Sequence, residues 1–77
     1  MAGATEIFVE LMEEGVEVYR PVQATSLGGG LYRIESLQSD QSEVWRFATG
    51  SVVRCRPTRF DGGEVGLLAI ESAAINT

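Results

Sequence analysis

The chain has no histidine, no lysine and a single cysteine, Cys55. One thiol cannot form a disulfide within the chain, and without histidine or a second cysteine no zinc-type ligand set can be assembled. No metal and no cofactor are expected. The missing histidine also removes the commonest general base. Of the carboxylates, Glu13 and Glu14 are adjacent in a turn and point different ways, while Asp40 and Asp61 fall in loops, so all four read as solvated groups. Cys55 is flanked by Arg54 and Arg56, but strand alternation sends those cations to the opposite face. With no cation to lower its pKa, the thiol reads as an inert core residue. No catalytic residue is assigned, and a non-enzyme is expected.

Long apolar runs are also absent. The longest are Ile7-Phe8-Val9 and Leu67-Leu68-Ala69-Ile70, far short of a membrane span. The first residues carry neither the basic nor the apolar region of a secretory signal. With the lone cysteine, which fits a reducing compartment, this points to a cytoplasmic protein. All six basic residues are arginine, a usage that with abundant Ala, Gly and Val points to a GC-rich bacterial genome. The net charge of −5 repels phosphate backbones at long range and weighs against nucleic acid as a partner. The 77 residues are read as a single domain, with an ordered core over about 5–71 and a loose tail over 72–77. A chain of this size buries only about 60% of its unfolded surface. Without a disulfide or a metal to supplement that thin core, a homo-oligomer, in the simplest case a dimer, or a protein partner is expected.

What is present is alternation. Glu6 to Met12 places Ile7, Val9 and Leu11 on one face at period two. A helix over residues 5–14 competes, since Glu, Leu and Met favour it, but the turn at Glu13-Glu14-Gly15 and the alternation beyond favour a strand. Val16 to Ala24 reads as a second strand in which Pro21 marks an edge or a bulge. Gly28-Gly29-Gly30 forms a loop. It has neither the Lys-Ser/Thr nor the helix that a phosphate loop needs. Leu31 to Glu35 is a third strand, and Ser36 to Ser42 a polar connection. Glu43 to Phe47 and Ser51 to Arg56 read as a fourth and fifth strand joined in a hairpin through Ala48-Thr49-Gly50, Trp45 opposite Val53. That register puts Trp45, Phe47, Val53 and Cys55 in the core and Arg46, Arg54 and Arg56 outside, whereas a one-residue slip buries an arginine. Pro57 ends the fifth strand, Phe60 to Gly63 turns, and Glu64 to Glu71 is the last strand. Short strands with turn signals every 8–12 residues predict an all-β domain, here a small SH3-like barrel of five to six strongly bent antiparallel strands.

The runs Val16-x-Val18-Tyr19-Arg20-Pro21-Val22-x-Ala24, Tyr32-x-Ile34 and Trp45-x-Phe47-x-x-Gly50-x-Val52-Val53-x-Cys55 together resemble a family of small uncharacterised bacterial proteins with an SH3-like β-barrel. The likeness spans residues 16 to 70 and implies the fold without an activity, so it transfers no functional residue. Gly50-Ser51-Val52-Val53 also resembles the strand-opening turn of SH3-like barrels in translation factors and ribosomal proteins, again a matter of fold.

Two surfaces stand out. Phe8 and Met12 face away from Ile7, Val9 and Leu11, and Leu68 and Ile70 face away from Leu67 and Ala69. One small core needs only one apolar face per strand. The four residues are therefore a candidate protein interface, unless the terminal strands bend to feed both halves of a curled sheet. Arg46, Arg54 and Arg56, with Tyr32 beside them and Arg59 close beyond, form a candidate face for an anionic partner such as RNA. The plainer account pairs those arginines with Glu17, Glu35 or Glu43 across strands. The leading expectation is a self-associating interaction module, and the alternative is an RNA-binding accessory protein.

Overall fold

The computed structural model describes residues 4–13, 15, 18–37, 43–60 and 62–73. Among these residues six strands follow in chain order: β1 (Ala4–Met12), β2 (Val18–Gly28), β3 (Leu31–Ile34), β4 (Val44–Trp45), β5 (Val52–Arg59) and β6 (Val65–Ser72). The chain is all-β, as the alternation predicts. Five strands close in a ring, β1-β2-β3-β5-β6 and back to β1.

Four of the five neighbour pairs are antiparallel, and the fifth, β6 with β1, is a parallel bridge at Phe8 and Leu68. This corrects the expectation of an entirely antiparallel barrel, and the reason is arithmetic. Strand direction must alternate around an antiparallel ring, and alternation cannot close on an odd number.

The inner face is what period two predicts. Ile7, Val9 and Leu11 of β1, Val22 and Ala24 of β2, Ile34 of β3, Val53 and Cys55 of β5 and Ala69 of β6 are buried. Tyr32, Trp45, Phe47 and Leu67 pack against them. No polar or charged side chain is buried among the described residues, so this core carries no desolvated polar group to satisfy.

The hairpin expected between Trp45 and Val53 does not form. Both ladder edges of β5 at Val53 are occupied, one by Tyr32 of β3 and the other by Ser72 of β6. β4 instead adds to β1, with Trp45 opposite Leu11 and Val44 opposite Met12. Residues 46–51 then carry the chain across to β3, where Gly50 N–H donates to Ile34 O (2.8 Å) and Ile34 N–H to Ser51 O (3.0 Å). The predicted faces nevertheless hold, because alternation fixes which side a residue points to, whatever strand lies beside it.

Pro57 does not end β5, which runs on to Arg59 with Pro57 opposite Leu67. Past Arg54, β3 no longer pairs with β5, so that edge demands no ladder donor and a proline is tolerated. Pro21 is in the same situation. It lies opposite Phe8 of β1, before the start of the β3 pairing at Ala24, and is an edge residue with no bulge at its position. The bulge in β2 lies between Ser26 and Gly28, next to the β2–β3 turn, where Gly28, Gly29 and Gly30 all have positive φ. That backbone requirement accounts for the triple glycine without a ligand. The expected Phe60 turn forms, with Gly63 N–H donating to Phe60 O (3.0 Å). Of the polar connection, 38–42 lie outside the described residues, as do Glu14, Glu17, Asp40 and Asp61 and residues 74–77 of the expected tail.

Candidate interaction surface

The two surfaces expected from the sequence are rearranged in the folded chain. Phe8 points outward from β1, but its own molecule covers it. The Phe60 ring, just past β5, stands 4.8 Å from the Phe8 ring and 5.0 Å from that of Tyr19 on β2, tilted against both. Room for this stack comes from Gly66 on β6, where a Cβ would lie 2.6 Å from Phe8 Cε2. Phe8 is thus spent in an aromatic cap, an outcome that neither a free interface nor a bent strand anticipated. Met12 is exposed at the far end of β1, beside Val44 of β4.

Leu68 and Ile70 do lie together, half-buried, on the outer side of β6. With Arg56, Pro57, Thr58 and Arg59 of β5 they line an open cleft of about 400 Å³. The β5–β6 register sets Arg56 directly opposite Leu68, and strand alternation puts Ile70 on the same side as Leu68. Members of the apolar set and of the arginine set therefore share one cleft.

The remaining arginines are neutralised. Arg46 Nη1 lies 3.5 Å from Glu10 Oε1, Arg54 Nε 3.0 Å from Glu71 Oε1, and Arg33 Nε 2.9 Å from Glu35 Oε2. The Arg20 guanidinium pairs with the Glu43 carboxylate, which also accepts from Trp45 Nε1 at 3.1 Å. Arg46 additionally stacks over Phe47, its guanidinium carbon 5.1 Å from the ring centre. Across-strand pairing was the plainer account of the arginines, and it holds with different partners for Arg46 and Arg54: Glu10 and Glu71, not Glu17, Glu35 or Glu43. Among the described residues, no carboxylate lies within ion-pair distance of Arg56 or Arg59. Tyr32 is on the other side of the sheet. It sits opposite buried Val53 and packs against the core, so the arginine face expected from the sequence loses its aromatic member.

Burial pushes the Cys55 thiol up to about 11, the direction opposite to that of a reactive thiolate. The Glu35 carboxyl is held below the usual range, first by the Thr25 hydroxyl that donates to it at 2.8 Å and then by Arg33. Among the described residues no group of three His, Cys, Asp or Glu side chains is placed to hold a metal ion. No helix is long and apolar enough to cross a membrane among those residues. Comparisons of the chain with protein-family models, curated proteins and solved structures gave no match.

Sequence reasoning named five of the residues now in play, Phe8, Leu68, Ile70, Arg56 and Arg59, and missed the role of Phe60. A glycine inside an apolar strand is a sign of close approach by a neighbouring group, and Gly66 was that sign.

Proposed function

We propose that the protein is a non-catalytic interaction module that docks a protein partner in the cleft lined by β5 and β6. The observation that carries this reading is the cleft. Two half-buried aliphatic side chains, Leu68 and Ile70, lie beside Arg56 and Arg59, while the other four arginines are paired. Apolar surface flanked by charge without an ion pair among the described residues is the composition of an interface with a polar rim. Arginine is also enriched among the residues that dominate binding energy.

Physical reasoning favours a different protein over a second copy. Two copies meeting cleft to cleft in a symmetric dimer bring both arginine pairs together, and like charges at close range oppose that contact. Nucleic acid is supported less well, since two arginines on a chain of net charge −5 supply few phosphate contacts.

The test is a pull-down from the native host with the tagged chain and with Leu68→Glu, each checked for fold by circular dichroism. A stoichiometric protein captured by the first and lost by the folded variant supports the reading. Equal capture by both refutes it. Sedimentation equilibrium at tens of micromolar, run in parallel, is expected to give a monomer.

A further inference from the structure

Resting on that reading of the β5–β6 cleft, we infer that its occupant is an acidic peptide segment. The argument begins with charge. The chain has six cationic side chains. Four are held by Glu10, Glu35, Glu43 and Glu71. The two that have no ion pair among the described residues, Arg56 and Arg59, line the same cleft. Across the ladder Glu71 already faces Arg54, Glu64 adjoins Val65, the partner of Arg59, beyond ion-pair distance, and no carboxylate among the described residues lines the cleft. The cleft is therefore locally positive on a globally acidic protein. At physiological salt, fields are screened beyond about 8 Å, so a bound segment responds to these two guanidinium groups more than to the net charge.

Geometry sets how they engage. Residues 56 and 59 are three apart in one strand, so alternation turns their side chains to opposite sides of it, and both line the cleft about the edge of β5 that β3 leaves open beyond Arg54. Each guanidinium can take a carboxylate through paired N–H donors, and Leu68 and Ile70 offer the ground between for an apolar residue. The open edge of β5 here contains Pro57, which has no N–H to give. Recognition therefore rests on side chains, without an added strand.

The experiment is fluorescence anisotropy of the intact chain with a labelled peptide of repeated Glu-Val-Thr-Glu, its Gln-Val-Thr-Gln counterpart, and a labelled oligothymidylate. The acidic peptide is expected to bind saturably at low salt, and to weaken about tenfold when salt is raised several-fold. Arg56→Gln/Arg59→Gln is expected to lose at least tenfold in affinity, with Arg46→Gln/Arg54→Gln unchanged. Equal binding of the glutamine peptide, unchanged affinity in Arg56→Gln/Arg59→Gln, or no saturable binding at low salt overturns the inference. Tighter binding of oligothymidylate overturns it in favour of nucleic acid. A dimer disrupted by Leu68→Glu overturns it in favour of a second copy. The broader module reading stands or falls separately, on whether Leu68→Glu removes the partner captured from the host.

Discussion

Replacing Gly66 by alanine should destabilise the protein, although alanine is normally the better strand residue. The new Cβ would lie 2.6 and 2.9 Å from Cε2 and Cδ2 of Phe8 and 3.2 Å from Cε2 of Phe60. Carbon atoms pack best at about 3.5–4.0 Å, so the Phe8 ring must retreat by roughly 1 Å. That motion opens the stack on Phe60, whose ring centre is 4.8 Å away. Forcing an extra methyl into packed surroundings costs about 1–3 kcal/mol, and an aromatic pair contributes about 0.5–1.5 kcal/mol of what is lost. Relief of the glycine's excess entropy returns about 0.5–1 kcal/mol. The net expectation is a loss of about 1–2 kcal/mol. For a domain of this size each 1 kcal/mol shifts Tm by about 4–8 °C. Urea unfolding read by Trp45 fluorescence measures the change, and a double-mutant cycle with Phe8→Ala assigns it. With the ring removed, Gly66→Ala should become neutral or stabilising. If the alanine variant is as stable as the parent, or if its cost is unchanged without the ring, the aromatic cap is not what Gly66 serves.

The Cys55 thiol should resist a disulfide reagent until the chain unfolds. Its folded pKa of about 11 stands above the ordinary 9.0, so the unfolded state loses its proton first. The stability this contributes is complete below about pH 9 and should be lost as pH rises towards 11. A Cys55→Ala variant whose urea midpoint falls just as steeply over that range would remove the thiol from the explanation. For Glu35, Thr25→Val and Arg33→Gln should each raise the carboxyl pKa, as read by carboxyl-carbon NMR, since the Thr25 hydroxyl is the largest single cause and Arg33 adds both a hydrogen bond and its charge. Because this pKa is lowered, the associated stabilisation is present above the ordinary 4.5 and is lost as pH falls through the folded value. Glu13 has a φ of 64°, a region that costs a residue with a Cβ about 1–2 kcal/mol. After allowing for glycine's entropy, Glu13→Gly should therefore raise stability by about 0.5–1 kcal/mol in the same urea assay. No gain would indicate that the turn imposes no such strain.

The inner face was legible in the sequence because alternation is local. Ile7, Val9, Leu11, Val53 and Cys55 each point inward for a reason visible within a few residues. Strand neighbours are not local. Trp45 faces the core as expected yet lies beside Leu11 of β1, and nothing near Trp45 distinguishes that partner from Val53. The cleft was hidden by one mistaken boundary. Once Pro57 is taken as a strand end, β5 and β6 have no shared register. When the strand instead runs to Arg59, the Phe60 turn sets Arg59 opposite Val65 and Arg56 opposite Leu68. The apolar pair and the arginines, separate in sequence, then line one cleft. Ion pairing was beyond reach for the same reason, since Glu10–Arg46 and Glu71–Arg54 join residues on different strands.

An odd ring has a further consequence for function. Its parallel closure rests on a single bridged pair, Phe8–Leu68, and the chain reinforces it from outside. Phe60 leans on Phe8, and Gly66 gives the two rings room. Leu68 sits at the boundary, bridged to Phe8 on one side and lining the arginine cleft on the other. A segment seated in that cleft contacts the seam of the ring itself. If it binds only the closed form, mass action adds its binding free energy to the stability of the closure. The surface proposed for recognition and the contact that completes the fold therefore meet at one side chain. For that reason Leu68→Glu must be checked for fold before its effect on binding is interpreted, and Arg56→Gln/Arg59→Gln, which leaves the seam intact, is the cleaner probe.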